Sequence, residues 1–120
     1  MTTVNDICRI MEDFAPLSYQ ETYDNAGLII GSSDAVLTGI LICLDVTESI
    51  IDEAMSLGFN MIISHHPLIF KGIKSITGKS YIENCLVKAI KNDIAIYAGH
   101  TNVDSVKEGV NGKIAEKSSD

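Results

Sequence analysis

Between residues 37 and 100 the chain alternates between two kinds of segment. LTGILICLDV (37–46), NMIIS (60–64) and DIAIYAGH (93–100) are short apolar runs. Between them lie TESIIDEAMSLGF (47–59) and residues 81–92, whose apolar residues recur at helical spacing. A continuous apolar strand needs cover on both faces, and strand–helix–strand repetition supplies it. The predicted class is therefore α/β, with a mostly parallel sheet and helices on both faces. The length, 120 residues, suits a single α/β domain over 1–120.

The flanks fit this plan. TVNDICRIMEDF (3–14) places Val4, Ile7, Ile10, Met11 and Phe14 at helical spacing, with Thr3 as a cap and Pro16 as a stop. GLIIG (27–31) reads as a short strand after the polar stretch YQETYDNA, in which Asp24 and Asn25 are turn formers. In helix 47–59, Thr47 or Asp45 is the expected cap, Gly58 the stop, and Ile50, Ile51, Ala54, Met55 and Leu57 the inner side. In helix 81–92 the inner side is Ile82, Cys85, Leu86, Ala89 and Ile90. Residues 105–117 are expected to form a last helix, with Val106, Val110 and Ile114 inward. The segment PLIFKGIKSITGK reads as irregular, its lysines solvated.

The function classes that composition excludes are few but clear. Net charge is −7, and nine Lys and Arg are scattered without aromatic interleaving, so no nucleic-acid groove is expected. No apolar run approaches the ~18 residues of a membrane span, and an N-terminal stretch with Asp6, Glu12 and Asp13 is not expected to be a signal peptide. Cys8, Cys43 and Cys85 are odd in number and far apart, which argues for reduced, buried thiols and a cytoplasmic location.

The chemistry gathers at strand ends. In open α/β sheets, ligands collect at the carboxyl edge. LICLD ends in Asp45, MIIS runs into His65 and His66, and IAIYAGH ends in His100 and continues through TNVD to Asp104. Imidazole with carboxylate suits divalent zinc, iron or manganese. Consecutive strand residues point to opposite sides, so two ions fit His65 and His66 better than one. Asp104 can bind one ion or bridge both. His100 can ligate, orient a ligand or move protons. Asp45 is the weaker candidate because it also serves as a cap. A lone histidine after a strand is ordinarily a surface residue; the adjacent pair together with HTNVD shifts the balance toward metal.

At these residues the chain resembles the dinuclear-metal-centre hexameric proteins, known as GTP cyclohydrolase 1 type 2 homologues. The matching segments are YDNAGLIIG (23–31), LDVTESIIDEA (44–54), GFNMIISHHPLIFKGIKSITG (58–78), IKNDIAIYAGHTNVD (90–104) and GVNGKIAE (109–116). The resemblance implies that His65, His66 and Asp104 hold two divalent metal ions in a hydrolase opening the ring of GTP, and that the protein associates as a toroidal homo-hexamer. It also implies a histidine and a glutamate near the family's C-terminus that complete the site and have no counterpart here. On that comparison the chain is an N-terminal portion, an incomplete version of a larger fold. Three side chains cannot saturate two ions that each take about four donors or more. The alternative is a non-catalytic metal-binding oligomeric scaffold or regulatory module, or an inactive truncated fragment. No phosphate-binding GxxxxGK[ST] loop is present.

Overall fold

The computed structural model describes residues 2–14, 27–66, 76–77, 79–99, 103–109 and 113–117. Its elements are α1 (Val4–Phe14), β1 (Gly27–Ile30), β2 (Ile40–Cys43), α2 (Glu48–Leu57), β3 (Met61–Ser64), α3 (Tyr81–Lys91), β4 (Ala95–Ala98), α4 (Val103–Gly109) and β5 (Ile114–Glu116). Among the described residues the strands form one sheet in the order β1-β4-β3-β2-β5. The contacts β4–β3, β3–β2 and β2–β5 are parallel, and only β1 runs antiparallel, against β4. The mixed α/β class read from the sequence is what the chain adopts.

Alternation along the strands builds two cores. Leu41, Ile62 and Ile96 face α2 and α3, where they meet Ile50, Ile51, Ala54, Cys85 and Ala89. Ile40, Ile42, Met61, Ile63 and Tyr97 face the other way and pack with Val4, Ile7, Cys8, Met11 and Val106 from α1 and α4. A strand buried on both faces reads as a continuous apolar run, and β2 and β3 do so.

Local chemistry sets the helix ends. Thr3 Oγ1 accepts from the Asp6 N–H at 3.3 Å, and the Thr3 N–H donates back to Asp6 Oδ2 at 2.9 Å. This reciprocal pair satisfies donors that the first turn leaves open. The bond from the Thr3 backbone N–H holds the Asp6 carboxyl below its usual range. Thr47 caps α2 by accepting from the Ile50 N–H at 3.2 Å, and Gly58 closes it at φ 75°. That left-handed angle is one glycine adopts without strain. Ser80 caps α3, and Glu83 Oε1 accepts from the Thr77 N–H at 2.8 Å.

Several sequence expectations are corrected. The expected helix over 105–117 is instead α4 followed by β5: Ile114, Ala115 and Glu116 pair with Ile40, Leu41 and Ile42. In the sequence GVNGK (109–113), the glycines and Asn are breaker signals that helical counting passed over. The hydrogen bonds open along β2 then hold the short segment, and Lys117 N–H continues them to Ile42 O at 2.8 Å. Ile114 is half-buried as a strand residue, while Val106 is buried on α4 as expected. Val110 lies outside the described residues. Met55 and Leu57 on α2 and Ile90 on α3 are exposed, because a narrower stripe of each helix meets the sheet than the apolar count suggested. β2 begins at Ile40, not at Leu37. Ahead of it, Asn60 ties the chain down by accepting from the Thr38 N–H and donating to Val36 O.

Candidate metal centre

Three adjacent parallel strands bring their carboxyl ends to one edge: β4, β3 and β2. Past Cys43 and Ser64 the main chains stay paired. The His65 N–H donates to Cys43 O at 3.0 Å, and the His66 N–H donates to Leu44 O at 2.9 Å. On the other side of β3, the Gly99 N–H donates to Ser64 O at 2.9 Å. The three exits are therefore laced together by backbone hydrogen bonds beyond the last strand residue.

Ser64 is the buried polar residue among those described, with no exposed surface. Its Oγ lies 2.9 Å from Leu44 O and 2.6 Å from His66 O. One hydroxyl proton serves both carbonyls. The hydroxyl thus staples the β2 exit to the β3 exit directly beneath the two histidines.

His65 is half-buried and His66 is exposed. His66 Nδ1 lies 2.9 Å from Asp45 Oδ1, with both side chains rather more than half exposed, at 56% and 57%. Asp104 is exposed and sits in the first turn of α4. His100 lies outside the described residues, as do Asp24 and Asn25. The structure thus brings together His66 and Asp45, and puts His65 beside them in the chain. Among the described residues, no group of three or more His, Cys, Asp and Glu side chains is placed to hold a metal ion. In kind, the donors suit a divalent transition metal: imidazoles and carboxylates at one sheet edge. A histidine with one ring nitrogen on a carboxylate and the other left for an ion is the arrangement ligating imidazoles adopt.

Sequence reasoning gave Ser64 no role and ranked Asp45 low. A signal existed for each. Ser64 is a polar residue closing an apolar run immediately before the paired histidines. Asp45 competes for the cap with Thr47, and Thr47 holds it.

Other groups and hollows point elsewhere. Burial pushes the Cys8 and Cys85 thiols up to about 11, with Glu12 and Glu48 respectively adding to the effect. Thiols so placed stay protonated at neutral pH and are poor nucleophiles. Burial likewise raises the Tyr97 hydroxyl to about 12. A cavity of about 300 Å³ opens at the opposite, amino edge, lined by residues that include Ile30, Ala35, Asn60, Ala89 and Ile94. It is largely apolar, and Asn60 is already spent on the 36–38 segment. Its position excludes it from the chemistry of the histidine edge. Among the described residues no helix is long and apolar enough to cross a membrane.

Architecture and edge together define a mixed α/β protein that carries Asp45, His65 and His66 just past the carboxyl ends of two adjacent parallel strands. The chain belongs to the Duf34/NIF3 (NGG1p interacting factor 3) family, which it matches over residues 2–118. A GTP cyclohydrolase 1 type 2 homolog from Clostridium acetobutylicum is 46% identical over 108 residues, covering 90% of this chain and 40% of that protein. The crystal structure of Staphylococcus aureus protein SA1388 matches with TM-score 0.75 and 42% identity, over 86% of this chain and 29% of that one. The Bacillus cereus protein related to NIF3 matches with TM-score 0.74 and 44% identity, over 87% of this chain and 29% of that one. The chain spans well under half the length of these relatives.

Proposed function

We propose that the carboxyl edge of this sheet is one half of a two-metal centre in a metal-dependent hydrolase. The name GTP cyclohydrolase 1 type 2 homolog, borne by the relatives, suggests GTP as the substrate to try first. In this reading His65, His66 and Asp104 are the metal ligands, for zinc, iron or manganese, and His100 carries a proton. The observation that supports it most is the lacing of the three strand exits around Ser64, which fixes the main chain under both histidines.

Each residue has a task that follows from its place. Side chains of consecutive extended residues diverge, so His65 and His66 serve different ions. Half-buried His65 loses little freedom on binding, whereas exposed His66 is steadied by Asp45. The Asp104 carboxylate has two oxygens and can bridge. When bound, the ions supply Lewis acidity to a water and to a leaving oxygen. A cytoplasmic setting accords with three buried thiols, and a homo-hexamer accords with the family resemblance.

The test is metal content and turnover measured together. Elemental analysis of the purified protein should give close to two ions per chain, with hydrolysis of GTP followed by product chromatography. His66→Ala and Asp104→Asn should lose metal and turnover in parallel. Turnover that survives in a variant stripped of metal ends this reading. A second reading, a metal-binding ring scaffold without catalysis, rests on the donor count: three side chains cannot saturate two ions that each take about four donors or more. Substoichiometric metal, no turnover across nucleotides and phosphoesters, and a hexamer by light scattering would establish it.

A further inference from the structure

The Asp45–His66 contact is built from the main chain outward. Asp45 directly follows Leu44, whose carbonyl accepts both the His66 N–H at 2.9 Å and a contact from the buried Ser64 hydroxyl, also at 2.9 Å. The same hydroxyl reaches His66 O at 2.6 Å. The backbones carrying the two side chains are therefore fixed before the side chains meet. Asp45 is also released from any duty at the helix start, because Thr47 accepts from the Ile50 N–H. A contact between two exposed side chains contributes little to folding. What this one does contribute is chemical identity. An ionised carboxylate only accepts hydrogen bonds, so Asp45 Oδ1 at 2.9 Å from Nδ1 requires the proton of a neutral His66 to sit on Nδ1. Nε2 is then left with its lone pair.

We infer that Asp45 is a positioning residue: it holds His66 in the Nδ1–H form and leaves Nε2 as the atom that donates to a divalent cation. The inference rests on the metal-centre reading above and adds to it the atom used and the residue that selects it. Carboxylates that hold ligating histidines in this way typically matter by about 10–100-fold in metal affinity when removed.

Two readouts test it on the purified protein. The first is long-range 1H–15N correlation spectroscopy of the imidazoles in metal-free protein, with His66 assigned from the signals lost in His66→Gln. The second is Zn2+ affinity by competition with a chromophoric chelator. The expected result is an Nδ1–H His66 in the unaltered protein and a shift toward Nε2–H in Asp45→Ala. Zn2+ affinity should fall about 10–100-fold in Asp45→Ala. Asp45→Asn, which keeps the shape and one acceptor oxygen, should fall in between. Its thermal melt guards against a folding artefact. Unchanged tautomer and affinity in Asp45→Ala, with metal lost in His66→Ala, overturns the positioning role and leaves the metal centre standing. Unchanged affinity in His66→Ala removes the metal centre itself, and the inference with it, whatever the tautomer.

Discussion

The exits of β2 and β3 and the exit of β4 reach the same edge but are secured in different ways. Asp45, His65 and His66 stand on main chain that continues the parallel ladder for two more residues, with a buried hydroxyl beneath. At the β4 exit, the bond of this kind among the described residues runs from the Gly99 N–H to Ser64 O. Its candidate ligand, Asp104, then stands on the first turn of α4, a helix of seven residues whose buried anchor is Val106. A ladder fixes position through successive backbone hydrogen bonds. A short helix is fixed mainly by how it packs. The contrast teaches that the histidine side of this edge is prepared by the strands, whereas the aspartate side depends on the α1–α4 layer holding.

The largest effect comes from the spine the exits share. Ile62 is fully buried in β3 between β2 and β4 and faces the α2–α3 core. Ile62→Ala should cost about 2–5 kcal/mol, read from urea unfolding. It should also speed amide exchange at His66 and Gly99 together, which makes it the control in which the two sides do not differ. Ser64→Ala separates them. Removing the hydroxyl strips a partner from two carbonyls in a buried place and should cost about 1–3 kcal/mol. The Gly99 bond uses the Ser64 main chain and survives the change. Exchange at the His66 N–H should therefore rise more than at Gly99. Equal acceleration at both would mean that the hydroxyl supports the whole edge, and the contrast would fail.

Much of this arrangement was legible beforehand because it is periodic. Apolar runs at 40–43, 61–64 and 95–98 can be satisfied only by two-sided cover, and the helices between them supply it. Parallel direction then sends Asp45 and His65–His66 to one edge without further information. What escaped is what depends on partners. Residues 114–116 hold no strand pattern long enough to see, and they become a strand because β2 offers an open row of peptide groups. Ile90 and Leu57 look inward by spacing and are outward in fact, since the stripe that touches the sheet is set by helix rotation. Ser64 looks like the polar end of a strand until the carbonyls around its hydroxyl are in view. Asp45 looks like a cap until Thr47 is seen to hold that place.

The smallest effects bear on that last distinction and sharpen the comparison most. Asp45 and Thr47 lie two residues apart at the β2 exit, and either side chain type can cap a helix. If Thr47 caps α2 and Asp45 serves His66, Thr47→Ala removes the acceptor of the Ile50 N–H and should cost about 1 kcal/mol in urea. Asp45→Ala then removes only an exposed pair and should stay within about 0.5 kcal/mol of the parent. The pair must also be additive, since the two side chains would share no partner. The opposite order, a costly Asp45→Ala and a harmless Thr47→Ala, would return Asp45 to the helix. The β2 exit would then offer His66 no dedicated carboxylate, and the histidine side of the edge would be no better prepared than the aspartate side.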